Sequence, residues 1–365
     1  MSAPSDQSRG CERCLARAWL LGRLAGHLEQ VRARIDVVLE LGDEELISAV
    51  AGRRRRRIVR ELERLDLAGL RERTAAAGLQ TICRCDPGYP GALRAVPSAP
   101  ALLHVAGGLE RFLSLADQDP VALVGARNAS AYGLEVARAL GRGLAAAGVP
   151  VLSGMARGID SAAHAGALSA GGATIAVLPG PANRPYPARK RALHGQIVST
   201  GAAVSELPPG SGVWKWAFPA RNRIIAGLAE LTVVVEAGQR SGALLTARYA
   251  REAGRPVGAV PGRVTSPQSA GSNALLAAGA CLIRGPQDVL DRLFGAGLRD
   301  AVVEQRAALS SELRALLAAI GEGHDSAAAL SRAGVPVERG LAALASLELG
   351  GYVRRGAGGR FHVVP

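Results

Sequence analysis

Between residues 81 and 293, short apolar runs alternate with longer stretches whose apolar residues recur every three or four positions. "VALVG" (121–125) precedes "YGLEVARALGRGLAAAG", and "VPVLSG" precedes "IDSAAHAGALSAGG". "ATIAVLPG" precedes "ARKRALHGQIVSTG", and "AAVSE" leads through a Pro/Gly loop to "RNRIIAGLA". "LTVVVEAG" then precedes "ALLTARYAREAG", and "PVGAVPG" precedes "NALLAAGA". This alternation predicts parallel strands joined by crossover helices. The strands are almost wholly apolar, as expected for a sheet covered on both faces. A doubly wound α/β domain over 79–295 follows.

The flanks carry other periods. Residues 1–78 read as a helical domain: "CLARAWLLGRLAGHL", "RIDVVLEL" and "IVRELERLDLAGLRERTAAAG" have apolar residues at three-and-four spacing. Residues 296–308 read as a linker. From 309 to 365, three short helical patterns precede "YVRRGAGGRFHVV", two strands around a Gly-rich turn. Three helices and a hairpin predict the winged variant of the helix-turn-helix.

In a doubly wound sheet, ligands bind outside the carboxyl ends of the strands. The loops after "VALVG", "VPVLSG" and "AAVSE" therefore matter most. The first is Gly125-Ala126-Arg127-Asn128, with Ser130 as a helix cap; the second runs from Ser153 and Gly154 to Arg157 and Gly158. Both place small residues, backbone amides and an arginine where a helix begins, which suits a phosphate. A third basic segment, "WKWAFPARNRIIAGL", sets Lys215, Arg221, Asn222 and Arg223 beside Trp214, Trp216 and Phe218. Cations interleaved with aromatics suit single-stranded nucleic acid, whose bases stack on rings while its phosphates meet charge. The bland readings are buried aromatics and arginines capping the sheet edge.

Charge sharpens this. The chain of 365 residues has a formal net charge of +13, and its only lysines are Lys190 and Lys215. Such a balance points to a polyanionic partner. The run Arg53–Arg57 reads as a solvated helix face. The start "MSAPSDQSRG" has no signal-peptide core, and no apolar run reaches the roughly 18 residues of a membrane span, so the cytoplasm is expected.

Other chemistries fit less well. The dinucleotide fingerprint G-x-G-x-x-G and the Walker sequence are absent. Ser153, Asp160 and His164 carry the residue types of a hydrolase, but no G-x-S-x-G elbow surrounds Ser153, and Asp160 is well placed as a helix N-cap. Cys11-x-x-Cys14 and Cys83-x-Cys85 could in principle form a four-thiolate zinc site. The second spacing is tighter than the usual knuckle, so buried or free thiols and no metal are expected.

"VGARNASAYG", "SGMARGIDSAAHAGAL", "SELPPG", "FPARNRIIAGL" and "VVVEAGQRSGALLTARYAREAGRPVGAVPG" occur in order across 81–293. Together they strongly resemble the DNA-processing protein A (DprA/Smf) family. The resemblance implies an extended Rossmann-like domain, an N-terminal SAM-like helical domain and a C-terminal winged helix. It also implies a non-enzymatic, cofactor-free role. Such a protein would bind and protect single-stranded DNA taken up in natural transformation, load the RecA recombinase onto it, and act as a homodimer. By motif, Arg127, Ser153, Gly154 and Arg157 are expected to hold phosphates, with Arg221, Asn222, Arg223 and Lys215 completing the pocket. The runner-up is a nucleotide-processing enzyme of phosphoribohydrolase type, whose "PGGxGTxxE" segment is missing here. A third reading is a winged-helix regulator with a ligand-sensing α/β domain.

Two details depart from the common pattern. Pro181 follows Gly180 where a second glycine is usual, beside Arg189, Lys190 and Arg191. The presumed recognition helix "PVERGLAALASLELGG" carries Glu338 and Glu348 against Arg339, so its basic residues lie in the wing: Arg354, Arg355 and Arg360. A protein-contact or accessory DNA role is the expectation for this domain.

Overall fold

The computed structural model describes residues 8–301 and 309–364, so most of the expected linker lies outside the described residues. A ten-stranded sheet forms the centre. Its strands are β1 (Ser8–Arg9), β2 (Gln80–Cys83), β3 (Leu102–Ala106), β4 (Val121–Val124), β5 (Val151–Ser153), β6 (Thr174–Val177), β7 (Ala202–Ser205), β8 (Leu231–Val234), β9 (Val257–Ala259) and β10 (Cys281–Leu282). The spatial order is β1-β2-β3-β7-β6-β5-β4-β8-β9-β10. From β7 to β10 every pairing is parallel. Within this parallel part the chain runs from β4 outward through β5 and β6 to β7, then crosses back to β8 on the other side of β4. The reversal opens a crevice between the carboxyl ends of β4 and β8.

The expectation of parallel strands is incomplete. β3 runs antiparallel to both β2 and β7, making a mixed sheet. The helical region also does not begin as a separate body, because Ser8 and Arg9 pair with β2 at the sheet edge.

Apolar strands and helix faces bury two layers. One contains Val105, Val124, Leu152, Ile175, Val204 and Ile225; the other contains Leu123, Val136, Leu140, Val151, Ile159 and Val233. Along β4, Ala122 and Val124 face the first layer and Val121 and Leu123 the second, the period of two expected for a strand. Ser130 caps the Ala131–Ala146 helix by accepting from the Gly133 amide, as read from the sequence.

The N-terminal helices include Glu12–Arg23, Asp43–Val50, Arg55–Glu63 and Leu67–Ala76. The last two divide a stretch that reads as one helix, because Asp66 accepts from the Gly69 amide and starts a new one. Leu20, Leu24, Leu28 and Ile58 pack with Trp216, Ala217 and Ala220, docking this region on the Ala217–Leu228 helix. Trp216 is 1% exposed and is thus a core residue, not a base-stacking platform. Arg53–Arg57 are exposed.

The C-terminal region holds helices Ser311–Gly321, Ala327–Arg332 and Val337–Leu349 and an antiparallel pair, β11 (Val353–Arg355) and β12 (Phe361–Val363). The three arginines of the hairpin are engaged. Arg354 contacts Glu135 on the Ala131–Ala146 helix at 2.8 Å, Arg360 contacts Asp325 at 3.1 Å, and Arg355 lies over the Phe361 ring.

Candidate nucleic-acid interface

The crevice at the β4/β8 switch has a volume of about 670 Å³. Its walls come from the loops after β4 (Gly125, Arg127, Asn128) and β8 (Arg240, Ser241) and from the Ala217–Leu228 helix (Phe218, Arg221, Asn222).

At the mouth, Arg127 is exposed and its guanidinium lies 4.7 Å from the centre of the Phe218 ring. Tyr186 meets the Phe218 ring edge-on, with ring centres 5.5 Å apart. The Phe218 ring fixes the cation by cation–π attraction while leaving its hydrogen-bond fork open. Arg157 is exposed beside the crevice, outside its lining. It donates to the Arg127 carbonyl at 3.2 Å and to Asn128 Oδ1 at 3.1 Å. Gln268 donates to the Asn128 carbonyl at 3.2 Å. The loop that presents Arg127 is thereby tied down from two sides.

The floor is different in kind. Arg221 is buried at 7% exposure and donates to the carbonyls of Gly154 and Val177, each at 2.6 Å, and to Asn222 Oδ1 at 3.0 Å. Its second nitrogen stands 3.5 Å from Asp160. Burial pushes the Asp160 carboxyl up from its ordinary value, and the adjacent Arg221 opposes that shift. Asn222 donates to the Gly242 carbonyl at 3.2 Å. Arg221 and Asn222 therefore line the crevice mainly as its frame.

Several sequence expectations need correction. Ser153 is fully buried, and its hydroxyl donates to the Leu123 carbonyl at 2.6 Å, so it holds two strands together rather than a phosphate. Gly154 is buried behind Arg221; a Cβ there would come 1.7 Å from the guanidinium, so glycine makes room for the arginine. Arg223 is 1% exposed and lies outside this crevice. It bonds Glu206 at 2.6 Å and the carbonyls of Ser98 and Ala220. Lys215 is exposed but outside the lining. The loop after β7, expected to matter, supplies none of the lining.

The helix N-termini also differ from the anion cradles read in the sequence. Glu236 is 2% exposed and accepts from the Ser130 amide at 2.7 Å and its hydroxyl at 2.6 Å. A resident carboxylate thus occupies the start of the Ala131–Ala146 helix. At the Ile159–Ser169 helix the N-cap is Gly158, not Asp160. Asp160 instead accepts from the Ala156 amide, and the Ile159 amide donates to the Ala126 carbonyl. The Ser130 and Ala156 amides are thus taken by carboxylates and the Ile159 amide by a carbonyl.

The hydrolase trio is also resolved. His164 is fully buried with Nδ1 2.7 Å from Thr174 Oγ1, and that hydroxyl gives its proton to the Val151 carbonyl. The imidazole is therefore the donor in its contact with Thr174. Burial holds its pKa down at about 3. Ser153, Asp160 and His164 each have a separate internal partner.

The residues that sequence reasoning missed are Arg240, Ser241 and Gln268, all lining the crevice. Arg240 is exposed and sits in "EAGQRSG" after β8. A basic residue flanked by glycines at a strand's carboxyl end was the available signal.

A model of the DNA recombination-mediator protein A family matches residues 80–294, which takes in every strand from β2 to β10 and the whole crevice. The chain belongs to this family. It is 39% identical over 282 residues to the Smf protein of Escherichia coli, covering 74% of each chain. It is 49% identical over 170 residues to a DprA of Mycobacterium tuberculosis, a match spanning 47% of this chain and 44% of that relative's length. The solved DprA of Streptococcus pneumoniae aligns with a TM-score of 0.62 at 33% identity, over 76% of this chain and 95% of that one. The DprA of Helicobacter pylori, whose structure concerns its single-stranded DNA binding mode, aligns with a TM-score of 0.53 at 28% identity, over 60% of this chain and 97% of that one. Among the described residues, no helix is long and apolar enough to cross a membrane.

Proposed function

We propose that this chain binds single-stranded DNA along the switch-point crevice. On this reading it protects DNA entering during natural transformation, and as a homodimer it loads RecA onto that strand. The observation that carries the reading is the exposed Arg127 guanidinium on the Phe218 ring at the crevice mouth, with Arg157 and Arg240 exposed around it. Charge beside a ring suits a strand whose phosphates and bases are both accessible. The contacts to phosphate position the strand without reading its sequence. Family membership and the net charge of +13 support the same partner. The role is one of binding rather than catalysis, in keeping with the internal engagement of Ser153, Asp160 and His164.

The test is RecA-driven strand exchange on single-stranded DNA precoated with a single-strand-binding protein. Addition of this protein is expected to raise the yield. An unchanged yield, with DNA binding intact, contradicts the mediator role.

A further inference from the structure

Four cysteines from two distant segments of the sequence converge at the start of the N-terminal helices. The sulfurs of Cys11, Cys14, Cys83 and Cys85 all lie within 4.8 Å of one another. Local geometry explains how. Cys11 is the N-cap of the Glu12–Arg23 helix and Cys14 lies three residues on, so the two share a face one turn apart. Cys83 ends β2 and Cys85 lies two residues on, in the turn that follows the strand, and that turn brings its sulfur back to the group. The tight C-x-C spacing, which counts against a knuckle, suits a strand end. The Asp86 amide donates to the Cys83 carbonyl at 2.9 Å and closes the turn that carries Cys85. β1 holds the two halves in register, pairing Arg9 with Ile82.

We propose that these four thiolates bind one zinc ion that fastens the N-terminal helical region to the edge of the central sheet. A tetrahedral site with Zn–S bonds of about 2.3 Å places its sulfurs roughly 3.8 Å apart. The Cys14 and Cys85 sulfurs are 3.8 Å apart. An iron–sulfur cluster with each thiolate on its own iron holds its sulfurs farther apart, and two disulfides would draw them into separate pairs. The surroundings fit a resident metal. The Cys11 amide points at Cys83 Sγ from 3.4 Å, the kind of outer bond that steadies a metal thiolate. Cys14 and Cys83 are buried with Leu15, Ala18 and Leu102, whereas Cys85 is exposed and gives the ion a way in. The clip would close a loop between positions 71 residues apart, where β1 contributes only a two-residue ladder.

The experiment uses the full chain purified under reducing conditions without chelator. Elemental analysis is expected to find about one zinc per chain. Titration with an organomercurial should release that zinc as the four thiols react. Replacement by cobalt(II) should give the thiolate-to-metal charge-transfer band of a four-sulfur tetrahedral site. Cys85→Ser, at an exposed position, should lose most of the zinc with an unchanged circular dichroism spectrum, whereas Arg127→Ala should keep it. Free thiols without stoichiometric zinc, disulfide-linked pairs, or iron in zinc's place would overturn the assignment. The assignment stands or falls independently of DNA binding.

Discussion

The Arg127 guanidinium rests 4.7 Å from the centre of the Phe218 ring, and the two come from different elements that line the switch-point crevice. One residue follows β4; the other opens the Ala217–Leu228 helix. Each therefore positions the other, and both face the space in which a strand would lie.

Replacing this pair separates its two contributions. Arg127→Ala should weaken single-stranded DNA binding roughly tenfold, the scale of a hydrogen bond to a charged group. It should also flatten the log–log salt dependence by about 0.7 for each phosphate that Arg127 neutralises. Phe218→Ala should cost about 1–3 kcal/mol per stacked base while changing the salt slope little. Fluorescence anisotropy across salt reads both. An Arg127→Ala protein with wild-type affinity and slope would remove this residue from the site.

Arg223 predicts a different phenotype. The Arg223–Glu206 pair is almost wholly buried, so Glu206→Ala leaves an uncompensated cation and should destabilise the fold by about 3–5 kcal/mol. The double change Arg223→Met with Glu206→Leu should recover much of that stability. Urea denaturation measures the cycle. If Glu206→Ala is neutral for stability, the pair is not the fold's brace.

Gly158 fixes the relation between the two phosphate-side loops. It has φ of +86°, and a Cβ there would stand 2.2 Å from the Ala126 carbonyl oxygen. Gly158→Ala should therefore destabilise by about 1–3 kcal/mol and weaken DNA binding together, because Arg127 and Arg157 lie on either side of that contact. Thermal melting and anisotropy on the same sample check the coupling. A protein with normal melting and normal binding would contradict it.

Acid should loosen the sheet. Burial holds His164 at about 3 and His104 at about 4, both below the unfolded value of about 6.5. Each imidazole binds fewer protons folded than unfolded, so the stability they contribute is complete above about pH 6.5 and is lost as pH falls toward those lower values. Each contributes at most about 1.4 kcal/mol per pH unit. His164→Gln should flatten the profile of urea midpoint against pH between 6.5 and 4. An equally steep profile in the variant would exclude His164 as a source.

Much of this molecule is legible in its sequence, and what is not has physical reasons. The alternation of apolar runs and helical stretches locates the sheet, and Ser130 shows its cap. Strand order is not legible: β4 pairs with both β5 and β8. That placement makes "GQRSG" a crevice wall and leaves the loop after β7 elsewhere. β2 and β3 escape the pattern because no crossover helix joins them. The burial of Arg223 is hidden by composition, since "ARNR" reads as a basic patch. Yet residues two apart on a helix do not share a face, so Arg221 and Arg223 could not both line one pocket. Glu236 is easily overlooked because a carboxylate after an apolar strand gives no sign that it fills a helix N-terminus. Spacing alone does not show that the four sulfurs converge, because the turn after β2 and the helix start on which they sit decide where the sulfurs go.

The most direct measurement is equilibrium anisotropy of the full chain with labelled single- and double-stranded oligonucleotides of equal length over a range of salt. Tighter binding to the single strand is expected, falling linearly in log–log form with a slope of about −0.7 per phosphate contacted. Equal affinity for the two forms, or binding that ignores salt, would contradict the assignment of the crevice to single-stranded DNA.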